Sequence, residues 1–374
     1  MEKKTILGVS TMTRILIIRL SSIGDIVMAL PVAESLKKIY RNNCEITWLT
    51  RECFRDLVDT NEFIDKVLYI ENLKNYQFRV IKEIFRIYNK KVTSKNSILI
   101  KFWKKFFKNF PVNQIMQSNN YDIVIDLQGS IESVILAMSA NSKIIMPYFV
   151  NNGTERFAIQ RAKNTNIVHR IDEYLDSLNL LEKTEISKNF NYGWKIDRNN
   201  IEDLSCLKEI NYAVIALATQ WESKNYPIKD WVKIIKYLNQ IKLKVVLVGN
   251  NDDKKYIKIL NKYIDENCYI DLIGKTTLKE LIVVINNSKI LLSGDTGAMH
   301  IADSLNIPLI TLMGPTDPNV WGPYNQPQNV ISVNYECKNC YKHKCPLNRI
   351  CLEDISFDTI KKNIDRILDE DIEK

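Results

Sequence analysis

The 374 residues are too many for one ordinary α/β core and suit two domains of about 150–200 residues each. A composition of 45% hydrophobic and 26% charged residues excludes a disordered or fibrous chain, and no apolar run reaches the roughly 18–20 residues that cross a bilayer. The net charge of +8 is concentrated: residues 72–118 hold eleven Lys/Arg against one acid, Glu83, which leaves the rest slightly acidic.

Residues 1–11 lack the apolar core and small-residue cleavage site of a signal peptide, so a cytoplasmic protein is expected. Met12 directly precedes the first strand-like run, and residues 1–11 read as a dispensable extension. Arg14–Leu20 (RILIIRL) is short, β-branched and apolar, the pattern of a strand buried on both faces. Arg19-Leu20-Ser21-Ser22-Ile23-Gly24-Asp25 then forms a strand-end corner. An aspartate there is a workable general base if burial raises its pKa toward neutrality, or else a helix cap; spacing leaves both open. Ile26–Tyr40 places its apolar residues on one helical stripe, with Pro31 predicting a kink or a fresh start. Further strands are expected at Glu45–Leu49, Lys66–Ile70 and Asp122–Leu127.

The basic segment contains Lys101-Phe102-Trp103-Lys104-Lys105-Phe106-Phe107-Lys108, which interleaves cations with aromatics. That pattern suits an anionic inner-membrane surface better than nucleic acid, for which no role is expected; a solvated helical insert is the plainer alternative. Residues 169–182 read as an amphipathic helix that starts at His169, a structural histidine on this reading, and residues 185–205 as a polar linker.

A second alternation follows: strand Tyr212–Ala218, helix Pro227–Gln240, strand Lys244–Gly249, helix Asp252–Asn267 and strand Tyr269–Ile273. Then come helix Thr277–Asn287, opened by a Thr277/Glu280 capping box, strand Lys289–Ser293, helix Ala298–Leu305 and strand Pro308–Met313. Strands alternating with helices imply parallel sheets with right-handed crossovers, here twice over, with ligands beyond the carboxyl ends of the strands. The expected division is 1–200, 201–355 and a C-terminal helix over 356–374, with the two sheets facing across a cleft.

Ser293-Gly294-Asp295-Thr296-Gly297-Ala298-Met299-His300 turns a buried strand into a helix. Its glycines allow close backbone approach, and the free N–H groups and dipole of the helix start suit a diphosphate. Asp295 is placed either to cap that helix or to take a sugar hydroxyl. In Thr219-Gln220-Trp221-Glu222-Ser223-Lys224 the lysine is a candidate for neutralising a departing diphosphate, against the plainer reading of an exposed surface lysine. Met313-Gly314-Pro315-Thr316-Asp317-Pro318 is a further strand-end loop, either a binding loop or a plain turn. A metal-binding DxD pair occurs only as Asp369-Glu370-Asp371, in a charged helical tail. Cys337, Cys340, Cys345 and Cys351 have the spacing C-x2-C-x4-C-x5-C, which accommodates a structural zinc, an iron–sulfur cluster, a redox clip or free thiols.

RILIIRLSSIGDIVMALP, YDIVIDLQGS, the Lys224 loop and GDTGAMHIADSLNIPLITLMGPTDP together resemble glycosyltransferase family 9, the ADP-heptose:lipopolysaccharide heptosyltransferases. The resemblance runs from about Arg14 to Ile355 and weakens over 72–118. It implies a GT-B fold of two Rossmann-like domains and an inverting transfer from ADP-heptose to a lipid A-linked core acceptor, with no cofactor required. It also implies Asp25 as the base and Lys224 as the phosphate-binding lysine. Asp295, Thr296, Gly297, Ala298 and His300, with Thr219 and Gln220, would bind the donor, and Ser21, Ser22 and Gly24 the acceptor. Gln220-Trp221 departs from the small-residue loop usual in the family.

Overall fold

A computed structural model describes residues 12–70, 120–140, 142–146, 160–161, 168–181, 186–196, 204–207, 209–348 and 350–372. The basic sequence 72–118 lies outside these described residues. The chain forms two compact units. The first comprises Met1–Ser21, Ala29–Ile167 and Asp172–Gly193; the second comprises Ser22–Met28, Val168–Ile171 and Trp194–Lys374. Two short stretches of the first half therefore pack with the second.

The first unit holds a sheet of β1 (Thr13–Ile18), β2 (Cys44–Arg51), β3 (Lys66–Ile70), β4 (Ile123–Asp126), β5 (Lys143–Met146) and β6 (Gln160–Arg161). Its strand order is β3-β2-β1-β4-β5-β6, and each pairing is parallel. Ile15 to Ile18 of β1 are fully buried, as a central strand covered on both faces requires. The second sheet contains β7 (Tyr212–Ala216), β8 (Lys244–Val248), β9 (Ile270–Asp271), β10 (Ile290–Gly294), β11 (Leu309–Leu312) and β12 (Val330–Ile331). Its order, β12-β11-β10-β7-β8-β9, repeats the first winding strand for strand, again all parallel. In each sheet the order reverses beside the first strand, which puts the ligand-binding corner between β1 and β4 in one unit and between β7 and β10 in the other.

Pro31 separates two helices, Ile23–Ala29 and Pro31–Ile39, because its ring cannot continue the first but presets φ at the start of the second. The Thr277/Glu280 capping box is formed: the Thr277 hydroxyl accepts from Glu280 N–H at 3.2 Å, and the Glu280 carboxylate takes Thr277 N–H at 2.6 Å. The helix expected over 252–267 is only Lys254–Leu260. Apolar spacing persists through Ile264, but Asp265 accepts the N–H of Asn267 at 2.8 Å and closes a turn instead. In the C-terminal helix Phe357–Ile372, the stripe of Ile360, Ile364 and Ile367 packs into the second core with Trp231, Ile234 and Leu238 of the Ile228–Gln240 helix. No described helix is long and apolar enough to cross a membrane.

Candidate active site

The second unit's corner is built from two loops. Gly294 ends β10, and a Cβ there would lie 3.0 Å from the Lys224 carbonyl oxygen and 3.2 Å from Thr219 Cγ2, so only glycine lets the loops meet this closely. Thr219 holds its own loop shut, giving its N–H to Asn225 Oδ1 at 2.6 Å and its hydroxyl to the Trp221 carbonyl at 2.8 Å. Lys224 is only 14% exposed rather than a solvated surface cation, and its Nζ donates to Asp295 Oδ2 at 2.6 Å. The Thr316 hydroxyl reaches the same oxygen at 2.7 Å. Nζ also sits 4.1 Å from the centre of the Trp221 ring.

Thr296, not Asp295, caps the Gly297–Ser304 helix, its hydroxyl accepting from Met299 N–H at 3.4 Å. Both residue types cap well; here the aspartate is taken by the lysine and Thr316. The helix N-terminus, with its unsatisfied N–H groups, stands beside this network.

The Ile23–Ala29 helix packs against the same helix N-terminus within the second unit. A Cβ on Gly297 would lie 2.6 Å from Ile23 Cγ2, and one on Gly24 would lie 2.5 Å from His300 Cδ2. Asp25, in the first turn, accepts both the N–H and the hydroxyl of Ser22 on Oδ2, at 3.2 and 2.9 Å. Ser22 thus opens the helix and Asp25 reaches back to it, so the capping contact exists and leaves the carboxylate half-buried beside His300. Burial pushes the His300 pKa down to about 4. The negative charges of Asp295 and Asp25 oppose this, and the positive charge of Lys224 adds to it, which brings these four groups into one electrostatic neighbourhood.

His169 gains a definite structural account. Its Nδ1 accepts Ile171 N–H at 3.2 Å, starting the Arg170–Asp176 helix, and this tautomer leaves Nε2–H to donate to the Gly322 carbonyl at 3.1 Å. Its ring also meets Tyr324 edge-on at 4.8 Å. Asp303, on the Gly297–Ser304 helix, gathers the N–H groups of Tyr324, Asn325 and Gln326 and so shapes that same turn. Burial raises its pKa to about 6 against those hydrogen bonds.

The corner of the first unit is tied differently. Arg19 Nη1 donates to the Leu127 carbonyl at 2.5 Å, and the N–H groups of Leu20 and Ser21 share Gln128 Oε1 at 3.1 and 3.3 Å. Asp126 accepts from Gln128 N–H, Gly129 N–H and the Ser133 hydroxyl, while complete burial lifts its pKa to about 6.

Of the sequence-derived set, Ser22, Gly24, Asp25, Thr219, Lys224, Asp295, Thr296, Gly297, Ala298 and His300 all belong to the second unit, whereas Ser21 belongs to the first and Gln220 is exposed. Thr316 and Trp221 were not foreseen as individual contributors; the Pro-rich strand-end loop and the odd tryptophan were their only signals. Cys337 is exposed, Cys340 and Cys345 are half-buried, and Cys351 is buried under Gly314; none of the four is in a disulfide. Burial, and then the other three sulfurs, push Cys351 up to about 11. Among the described residues no group of three or more His, Cys, Asp or Glu is disposed to hold a metal ion.

Two parallel sheets of nucleotide-binding winding, with a lysine, an aspartate and a helix N-terminus at one corner, have the GT-B fold. The chain belongs to glycosyltransferase family 9 (heptosyltransferase), whose model matches residues 110–351. It is 23% identical to lipopolysaccharide heptosyltransferase 1 of Salmonella typhimurium, over 84% of this chain and 92% of that one. The structure of E. coli ADP-heptose lps heptosyltransferase II superposes with a TM-score of 0.72 at 16% identity, covering 96% of this chain and 99% of the other. E. coli heptosyltransferase WaaC with ADP gives a TM-score of 0.69 at 21% identity, covering 95% and 100%. These two likenesses establish the fold.

Proposed function

We propose that the protein transfers heptose from ADP-heptose to the inner core of lipopolysaccharide, on a Kdo- or heptose-bearing lipid A acceptor, with inversion at the anomeric carbon. The observation that carries this reading is the convergence of Lys224, Asp295 and Thr316 at the start of the Gly297–Ser304 helix, against which the Asp25-bearing helix packs. The names of the relatives support the sugar and the acceptor, and the relative solved with ADP supports the nucleotide.

Asp25 takes the proton of the acceptor hydroxyl. The freed oxygen bonds to the anomeric carbon from the face opposite the diphosphate, and the bond from that carbon to the diphosphate breaks, its electron pair leaving on ADP. Lys224 and the helix N–H groups meet the charge that grows on the leaving group, with no divalent cation in the step. Asp295 and Thr316 hold the lysine in place. The buried His300 stays neutral at cytoplasmic pH and fills the contact between the two helices. The basic, aromatic-rich sequence 72–118 meets the anionic inner-membrane surface where such an acceptor is anchored.

The test is transfer by the purified full chain from ADP-heptose, a GDP-sugar or a UDP-sugar to Kdo-lipid A and to its heptosylated form, with products identified by mass spectrometry, in the presence and absence of EDTA. Turnover with ADP-heptose alone, unaffected by EDTA, is the expected result. Preference for another nucleotide would reassign the donor, and a rate lost to EDTA and restored by Mg2+ would move the charge compensation to a cation.

A further inference from the structure

We infer that the cysteine-bearing loop 335–348 is the buttress that sets Lys224 for the donor diphosphate, and that His343 is its positioning residue. The inference rests on the donor reading of Lys224 given above.

The loop is attached on both sides of the lysine network. On one side, Ser223, the buried neighbour of Lys224, donates its N–H to the His343 carbonyl at 3.1 Å and its hydroxyl to the Lys342 carbonyl at 2.5 Å. On the other, Tyr341 N–H donates to the Pro315 carbonyl at 2.9 Å, one residue from the Thr316 that bonds Asp295. The loop is itself tightly turned, with Asn339 and Tyr341 at φ 58° and 52° and Lys338 N–H closing onto the Tyr335 carbonyl at 2.9 Å.

The side chains continue the same line of support. The His343 ring stacks on Trp221, with centroids 3.9 Å apart and planes inclined by 23°, and Trp221 in turn lies under the Lys224 ammonium. Lys224 is held by Asp295 at its tip, by Trp221 along its charge and by the His343 stack behind Trp221. Without that stack the indole is free to swing, and the ammonium loses the ring face that fixes its direction. Removing one support from a long, four-torsion side chain restores rotamer freedom that ligand binding must then take away. The Trp221 indole and the His343 ring stacked on it form a matched pair beside Lys224.

The experiment measures ADP affinity by titration calorimetry on the full chain, for the unmodified protein, Lys224→Ala, His343→Ala, His343→Phe and the Lys224→Ala/His343→Ala double variant. His343→Ala should weaken ADP binding roughly tenfold, as expected for losing a stacked ring and the cation–π contact it steadies. His343→Phe, which keeps a stackable ring, should restore it. In the Lys224→Ala background the histidine substitution should cost nothing further, a coupling that a merely structural role would not produce. If His343→Ala does not fold, His343→Leu, apolar but unable to stack, takes its place beside His343→Phe. Unchanged ADP affinity in His343→Ala, an equal and additive loss in both backgrounds, or a failure of phenylalanine to rescue would each overturn the inference. If the unmodified protein does not bind ADP at all, the donor reading fails, and the buttress fails with it.

Discussion

Gly24 lies directly on the His300 ring, so close that a Cβ on the glycine would be 2.5 Å from Cδ2. Real contacts of that kind do not occur, and His300 is buried with little room to yield. Gly24→Ala should therefore push the two helices apart and lower stability by roughly 1–3 kcal/mol, the usual penalty of overpacking. Thermal melts would register the drop, and His300→Ala in the same chain should recover part of it. An unshifted melt in Gly24→Ala would mean that the helices do not meet as described.

Asp25→Asn keeps an oxygen able to accept from Ser22, so the helix start should survive. Single-turnover transfer should fall by roughly 10²–10⁴-fold, the span that a positioned base contributes, while ADP affinity stays unchanged. A variant that turns over at the normal rate would remove Asp25 from the chemistry.

Lys224 and Asp295 form a largely buried ion pair, 14% and 10% exposed. Lys224→Met strands the carboxylate with only the Thr316 hydroxyl and should cost about 3 kcal/mol in denaturant unfolding, in the range for breaking a buried pair. Adding Asp295→Asn should return much of that loss, since the remaining partner is neutral. Equal destabilisation by the single and double variants would show that the pair is not the source.

His300 and Asp303 have opposite pH signatures. Unfolded His300 binds a proton below about 6.5 that the folded site refuses until about 4, so this group removes stability as pH falls through that window, by at most about 3 kcal/mol. Folded Asp303 keeps its proton up to about 6, above its unfolded value of 3.8, so its contribution is present at low pH and is lost as pH rises between those values. Denaturation midpoints from pH 4 to 7 should show a smaller acid-side loss in His300→Gln than in the unmodified protein. Asp303→Asn should be most destabilised, relative to the unmodified protein, at the acid end. Parallel pH profiles for all three proteins would contradict both assignments.

Much of this arrangement could be read from local pattern. The β-branched run of β1, the proline that divides the first two helices and the Thr277/Glu280 box are short-range signals, and the structure reproduces each. The Gly294–His300 corner was legible for the same reason: strand, tight turn and helix start are consecutive in the chain. Long-range pairing was not. Nothing near Asp295 indicates that its partners are Lys224 and Thr316, and since Thr296 caps as well as aspartate does, the choice between them rests on where the lysine arrives. The assignment of Ser22–Met28 to the second unit depends on contacts with Gly297 and His300, which no window along the chain can reveal. His343 carries no local signal, because its significance lies in a ring stacked on a residue far upstream.

The helix that carries Asp25 is synthesised about 270 residues before Gly297, which it packs against. At translation speeds of about 5–20 residues per second, that helix waits roughly 15–50 s for its docking partner to leave the ribosome. Throughout that interval Ile26, Val27 and Met28, all buried in the finished protein, have not yet met part of their final surroundings. The Asp25 carboxylate is thus made well before it is seated, and a nascent chain that stalls before residue 297 would carry the proposed base without the site proposed for it.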